Sequence, residues 1–204
     1  MGLKHQAAAA RKWRFAIRRV KQHFPPHLPP LLFLTDPQRI EDPIAIAAQL
    51  PKGSGVIYRH FGADNRFEIA RGLAATCRRQ GLFLLIAADP ALAWHVGADG
   101  VHWPEARLAQ KRHWRGQFRL TTASAHSQQA ISRAAKSGVN AVLVSSVFPS
   151  TSPSAKAPMG TTRFNLLASR AALPVYGLGG ITADNAGQIT ARAGLSAVAG
   201  LVRA

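Results

Sequence analysis

From Leu31 onward the chain repeats one pattern: a short apolar run, a break, then a stretch with helical periodicity. The apolar runs are Leu31–Asp36 (LLFLTD), Gly55–Phe61 (GVIYRHF), Leu82–Ala87 (LFLLIA), Val101–Trp103, Phe118–Ala123, Ala141–Phe148 (AVLVSSVF), Pro174–Leu178 and Ala197–Val202. Helical segments are read at Pro43–Leu50, Asn65–Gln80, Pro90–Val96, Ser127–Lys136, Phe164–Ala171 and Asn185–Ala193, with a weaker one around Arg107–Trp114. The runs are continuously apolar rather than alternating, as expected of strands covered on both faces. Strands interleaved with helices imply parallel βαβ units. Eight such strands predict a small (β/α)8 TIM barrel, and 204 residues lie near the lower end for that fold. An open doubly wound sheet is the alternative, but no GxGxxG turn follows the first strand.

No sequence remains after the last run for an eighth helix. Residues 4–23 supply a candidate at the other end of the chain. Trp13, Ile17, Val20 and Phe24 form one stripe at helical spacing, and Arg11, Arg14, Arg18 and Lys21 form a second. Pro25, Pro26, Pro29 and Pro30 end this helix. The chain therefore divides into a basic helix with a Pro-rich connector, 1–30, and a barrel domain, 31–204, with the helix expected to cover the seam between first and last strands.

Charge narrows the partners. Lys plus Arg number 26 against 9 acids, a net charge of +17. Such a surface attracts phosphorylated metabolites, nucleic acid or anionic membrane. Few carboxylates are left to hold a metal. The single Cys77 excludes a disulfide framework and a Cys-rich zinc site. No apolar run approaches the roughly 18 residues of a membrane span, and Ala7–Ala10 is too short for a secretory core. A cytoplasmic location is expected.

In a parallel barrel the binding groups sit at the C-terminal strand ends. These ends carry Thr35 and Asp36, Arg59 and His60, His102, Ser124 and His126, Ser150 to Ser152, Gly177 to Gly180, and Gly200 to Val202. The glycine run after the seventh strand is the best phosphate candidate, because glycine lets backbone amides approach an anion. His126 is of the side-chain type that exchanges protons near neutrality. Trp103, at the fourth strand end, could stack on a planar heterocycle.

The blocks LFLTD, VIYRHF, GADGVHWPE, ASAHS, SSVFPSTS, PVYGLGGIT and AGLSAVAGLV, in that order, resemble the thiamine phosphate synthase / thiazole tautomerase (TenI) family. The resemblance implies a (β/α)8 barrel that binds thiazole phosphate. Its synthase branch joins an aminopyrimidine pyrophosphate to the thiazole with Mg²⁺. Its tautomerase branch aromatises a thiazole carboxylate phosphate by proton transfer without metal. Carried over by position, Arg59, Ser124, Ser150, Ser152, Gly179, Gly180, Gly200, Leu201 and Val202 would bind substrate or phosphate. His126 would be the catalytic acid/base, although the synthase branch often has a histidine there too.

The departures fall on the pyrophosphate and metal half. The family's Gln-x-Arg-x-Lys becomes Ile57, Arg59 and Phe61, and its Asn-Asp pair aligns with Ala87 and Ala88. Arg107 stands at the second metal carboxylate, Pro153 at the pyrophosphate lysine and Val202 at a serine of the last strand. Asp89 and Glu105 are the nearest substitute carboxylates. No metal ligand is therefore assigned and no cofactor expected, Mg²⁺ entering only with synthase chemistry. The function expected first is metal-independent, tautomerase-like chemistry on thiazole phosphate. An authentic synthase is the alternative, and a non-catalytic barrel binding a phosphorylated ligand or nucleic acid is the third. The partner is a phosphorylated small molecule, and a homo-oligomer is compatible with this reading.

Overall fold

A computed structural model describes residues 3–152 and 157–198, with side chains from residue 7. Eight strands, β1 (Leu31–Leu34), β2 (Gly55–Tyr58), β3 (Phe83–Ala87), β4 (Gly100–Trp103), β5 (Leu120–Ala125), β6 (Ala141–Val144), β7 (Val175–Gly177) and β8 (Gly194–Ala197), pair in sequence order. All neighbours are parallel, and β8 closes on β1 with Leu31 opposite Leu195 and Phe33 opposite Ala197. The fold is the closed parallel barrel that the apolar runs predict. Gly100 begins β4 because a Cβ there would lie 1.6 Å from the Leu120 carbonyl oxygen of β5.

The intervening helices are α2 (Pro43–Ala48), α3 (Arg66–Gln80), α4 (Pro90–His95), α5 (Gln128–Lys136) and α6 (Gly160–Arg170). Their starts follow from capping chemistry. Asp42 accepts from the amides of Ile44 and Ala45, Asp89 from Leu92, and Ser127 from Ala130. Proline occupies the first turn of α2 and α4, where its missing N–H costs nothing. A 3₁₀ segment, Glu105–Trp114, links β4 to β5.

The N-terminal helix α1 (Leu3–Lys21) has an alanine-rich first half and Arg18, Arg19 and Lys21 in its last turn, which complement the helix dipole. It packs on β8 and on the 3₁₀ turn Ala186–Gln188. Trp13, Ala16, Ile17 and Val20 are buried there. Phe24 meets Tyr176 edge-on at 5.0 Å, and the Tyr176 hydroxyl donates to Pro29 O at 2.7 Å. The helix therefore covers the last strand from outside, where a helix after β8 would lie. Ile17→Val should destabilise the protein by about 1 kcal/mol. Phe15→Ala, on the exposed face, should stay within about 0.5 kcal/mol of the parent. Urea titrations of both variants check this, and equal effects would mean that α1 is not packed as described.

Two predicted elements are displaced. The helix read over Asn185–Ala193 is only the turn Ala186–Gln188, because Gly187, Ile189 and Thr190 are weak helix formers. Among the described residues the last strand is Gly194–Ala197, which starts before the predicted Ala197–Val202, whose residues 199–202 lie outside the described residues. Gly194 and Ser196 disguise it in the sequence. A Cβ on Gly194 would lie 2.6 Å from the Tyr176 ring, and Ser196 is satisfied by donating to Gly177 O at 2.6 Å. Gly200, Leu201 and Val202, expected to bind phosphate, lie outside the described residues, as does Pro153. Among the described residues no helix is long and apolar enough to cross a membrane.

Candidate active site at the barrel mouth

The ends of the first two strands hold an arginine in place. β2 stops at Tyr58, so Arg59 lies just past the strand that the sequence extends to Phe61. Its amide donates to Thr35 Oγ1 at 2.8 Å and its Nε to Thr35 O at 2.7 Å. Its Nη2 lies 3.2 Å from Asp36 Oδ2, which also receives Arg39. Burial alone would raise the Asp36 pKa, but hydrogen bonds from Arg39 and the Gln38 amide, with the charges of both arginines, hold it below its ordinary value. Phe61 takes a left-handed φ of +47° and stacks under the Arg59 guanidinium at 5.3 Å.

The next pair of strands builds a neutral polar cluster. His102 on β4 faces Thr122 and Ser124 on β5, with Nδ1 2.9 Å from Thr122 Oγ1 and Nε2 3.0 Å from Ser124 Oγ. Ser124 is thus tied to an imidazole that is 4 % exposed. Burial, reinforced by the Arg59 charge, pushes the His102 pKa down to about 3. The ring is uncharged at neutral pH, so His102 adds no positive charge beside Arg59 and Arg39. Trp103, one residue on, is on the opposite face and fully buried, so the stacking role read from the sequence does not hold.

The lowered His102 pKa has a stability consequence. The unfolded chain takes up this proton near pH 6.5, the folded chain only near pH 3. Native stability is therefore complete above 6.5 and declines as pH falls toward 3. Between pH 7 and 5 the loss from this group should be about 2 kcal/mol. His102→Gln, which keeps polar atoms for both hydroxyls, should flatten that slope in urea titrations. An unchanged slope would mean that His102 does not titrate this way.

At the ends of β3 and β4 the structure gives each substitute carboxylate another task. Ala88, which the resemblance aligns with a metal carboxylate, has no donor side chain and sits at φ +59°. Asp89 caps α4 and lies 3.5 Å from His60 Nε2 and 4.0 Å from Arg66 Nε. Glu105 Oε2 lies 2.9 Å from His126 Nδ1, and its Oε1 accepts from Arg133 at 2.7 Å. Burial pushes the Glu105 pKa up, but those hydrogen bonds and charges outweigh it and leave the pKa lowered. Among the described residues no three His, Cys, Asp or Glu side chains converge as a metal cluster. Mg²⁺ asks for hard oxygen donors, and these two carboxylates, already engaged by Arg66 and His60 and by Arg133 and His126, do not fit it.

The phosphate candidate lies across the mouth. Gly179 and Gly180 follow β7 with φ of +94° and +65°. A Cβ on Gly179 would stand 2.9 Å from Ser146 Cα, and one on Gly180 2.2 Å from Pro149 O. The β6–α6 segment is laid directly on these glycines: Val147 and Phe148 donate to Leu178 O and Gly179 O. Asn185 Nδ2 holds Gly180 O at 2.8 Å, and Asn185 Oδ1 accepts from Thr182 N. The Gly179 and Gly180 amides take no acceptor among the described residues. Ser150 and Ser152 are neighbours in this segment, with Ser152 N 3.3 Å from Ser150 Oγ.

Of the residues expected from the sequence, Ser124 is held by His102, whose pKa the Arg59 charge helps to lower, and Gly179, Gly180, Ser150 and Ser152 share the β6–β7 side. His126 stands apart, half-exposed at the outer rim with Glu105. The sequence reading missed Ser146, which abuts Gly179. Only its place in SSVF, just past an apolar run, hints at it. It also missed the Asp36–Arg39 partnership, visible as an i, i+3 acid–base spacing after the first strand.

The family described as thiamine monophosphate synthase (TMP-TENI) matches residues 31–203. The thiamine-phosphate synthase of Thioalkalivibrio sulfidiphilus is 35 % identical over 164 residues, 76 % of this chain and 77 % of that protein. The thiamine-phosphate synthase of Chromobacterium violaceum is 33 % identical over 181 residues, 82 % of this chain and 84 % of that one. Among solved structures, the thiamine phosphate pyrophosphorylase of Pyrococcus furiosus superposes with a TM-score of 0.71 at 22 % identity, over 85 % of this chain and 87 % of that one.

Proposed function

We propose, since the chain belongs to the thiamine monophosphate synthase family, that it binds thiazole phosphate and joins it to an aminopyrimidine pyrophosphate, releasing pyrophosphate. The observation that carries this is the glycine cradle: two amides at positive φ, Gly179 held against Ser146 and Gly180 against Phe148 and Pro149, with no acceptor among the described residues. Backbone donors of this kind suit a phosphate dianion. The names of the relatives support the transfer ahead of the proton shift, which reverses the order expected from the sequence.

In this reading Gly179 and Gly180 hold the thiazole phosphate, with Ser150 and Ser152 beside them. Arg59 places a fixed positive charge in the mouth, oriented by Thr35 and Asp36, where a leaving pyrophosphate gathers negative charge. Neutral His102 fixes the Ser124 hydroxyl. The new C–N bond forms as the C–O bond to pyrophosphate breaks, so the electron pair leaves with pyrophosphate. No step is assigned to a metal, because the carboxylates at hand are otherwise engaged.

A second reading rests on the Glu105–His126 pair. A carboxylate with a lowered pKa accepts from Nδ1–H, which leaves Nε2 as a base. That geometry suits a proton shift on the thiazole. The test is one incubation with both substrates, following thiamine phosphate and pyrophosphate, beside one with the thiazole carboxylate tautomer alone. Equimolar product and pyrophosphate are expected. No coupled product with aromatisation of the tautomer would replace the transfer by the second reading. Binding of thiazole phosphate should agree within about threefold with Mg²⁺ and with EDTA, since the cradle uses amides. A strong metal requirement, lost on Asp89→Ala, would show that the carboxylates rearrange to hold Mg²⁺.

A further inference from the structure

The opposite end of the barrel carries a concavity that none of this chemistry uses. The end of the Glu105–Trp114 segment, the start of β5 and the α5–β6 turn enclose a cleft of about 440 Å³, within the ordinary range for small-molecule sites. Four cations line it: Lys111, Arg115, Arg119 and Lys136. None is ion-paired with a carboxylate among the described residues, and no acid lines the cleft. Lys111 is 7 % exposed and donates to Ser137 O, at the end of α5, at 3.1 Å. Burial and the neighbouring Arg115 charge both lower its pKa.

A cation at a helix C-terminus is ordinary, and one lysine satisfies the Ser137 carbonyl. Four around one concavity exceed what capping needs, and their mutual repulsion opposes folding. A ligand with several adjacent negative charges relieves it; a single chloride or a neutral molecule does not. Trp114 and Phe118, with ring centres 5.9 Å apart, form an apolar wall on the same cleft. We propose that this N-terminal face is a second anion site, distinct from the mouth, which takes a polyphosphate chain between Lys111, Arg115, Arg119 and Lys136. The chain could be free or part of a nucleotide, and the Trp114 wall gives a base something to stack on.

The experiment is isothermal titration of the whole chain with tripolyphosphate and with ATP at about 0.15 M salt, where long-range attraction is screened. Saturable binding at one site is expected for both. R115E/R119E should weaken it at least tenfold while leaving thiazole phosphate binding unchanged, and R115Q/R119Q should do the same more mildly if charge reversal lowers the melting temperature. G180A should do the reverse, weakening thiazole phosphate and sparing tripolyphosphate. ATP binding more tightly than tripolyphosphate, with the difference removed by W114A, assigns a nucleotide; equal affinities assign free polyphosphate. Binding that survives R115Q/R119Q, that is lost in G180A, or that never saturates would overturn the site. Loss of the mouth site alone would count only against the transfer reading.

Discussion

Alanine at Gly180 should weaken thiazole phosphate binding by at least about a hundredfold, equivalent to roughly 2.7 kcal/mol, while the barrel still folds. Two effects add. The residue sits at φ +65°, which an L side chain rarely adopts, and strain of that kind costs about 1–3 kcal/mol. The new Cβ would also stand 2.2 Å from Pro149 O and 2.8 Å from Phe148 Cβ. The first of these is main chain and cannot step aside by changing rotamer. The β6–α6 segment must move, carrying Ser146 and Ser150 away from the amides they flank. Gly187→Ala is the control: it lies on the same side of the chain's C-terminal half, but an added Cβ there meets nothing within 4 Å. Titration calorimetry on both variants, with circular dichroism for the fold, gives the result. Equal binding by parent and Gly180→Ala would remove the cradle from the site.

The barrel was legible because its cause is local and repeated. Each apolar run is a strand covered on both faces, so continuity of hydrophobicity suffices to find it, and the order of runs dictates parallel pairing. The places that failed are those where a strand is built from small or polar residues. Gly194 and Ser196 in β8 serve the Tyr176 ring and the Gly177 carbonyl, which are distant in sequence. Strand ends were also misjudged: Arg59 and Phe61 look like β2 but leave it after Tyr58, because Thr35 claims the Arg59 amide and Phe61 turns left-handed. The mouth was legible in residue type more than in partnership. Arg59, Ser124 and the glycines could be named from the strand ends and the family resemblance. That a neutral, buried His102 would join Thr122 and Ser124, or that Asp89 and Glu105 would each be held by cations, depends on side-chain directions across neighbouring strands. The basic cleft was hidden for the same reason, since Lys111, Arg119 and Lys136 come from three separate elements.

His126→Gln should separate the two chemistries. His126 stands at the rim just past β5, its Nδ1 2.9 Å from a Glu105 carboxylate that Arg133 also holds. An ionised carboxylate can only accept, so Nδ1 carries the proton and Nε2 is the basic nitrogen. Glutamine keeps a polar side chain of similar reach and can still donate to Glu105, but it cannot pass a proton. General acid–base groups contribute about 10²–10⁴-fold. Turnover of the thiazole tautomer should fall by that factor if the proton shift is the chemistry, with thiazole phosphate affinity unchanged, because the cradle follows β7 and is built from backbone amides. Thiamine phosphate formation should stay within about tenfold of the parent, a change of 1.4 kcal/mol, since bond exchange at the pyrophosphate carbon needs no base at this position. Glu105→Gln sharpens the comparison. It leaves the imidazole in place but removes the carboxylate that fixes Nδ1–H, so a proton shuttle should lose rate, whereas a structural histidine should leave turnover unchanged. A loss of coupled product in His126→Gln as deep as the loss of tautomer turnover, at unaltered melting temperature, would move His126 into the transfer reaction itself and overturn the division of labour between rim and mouth.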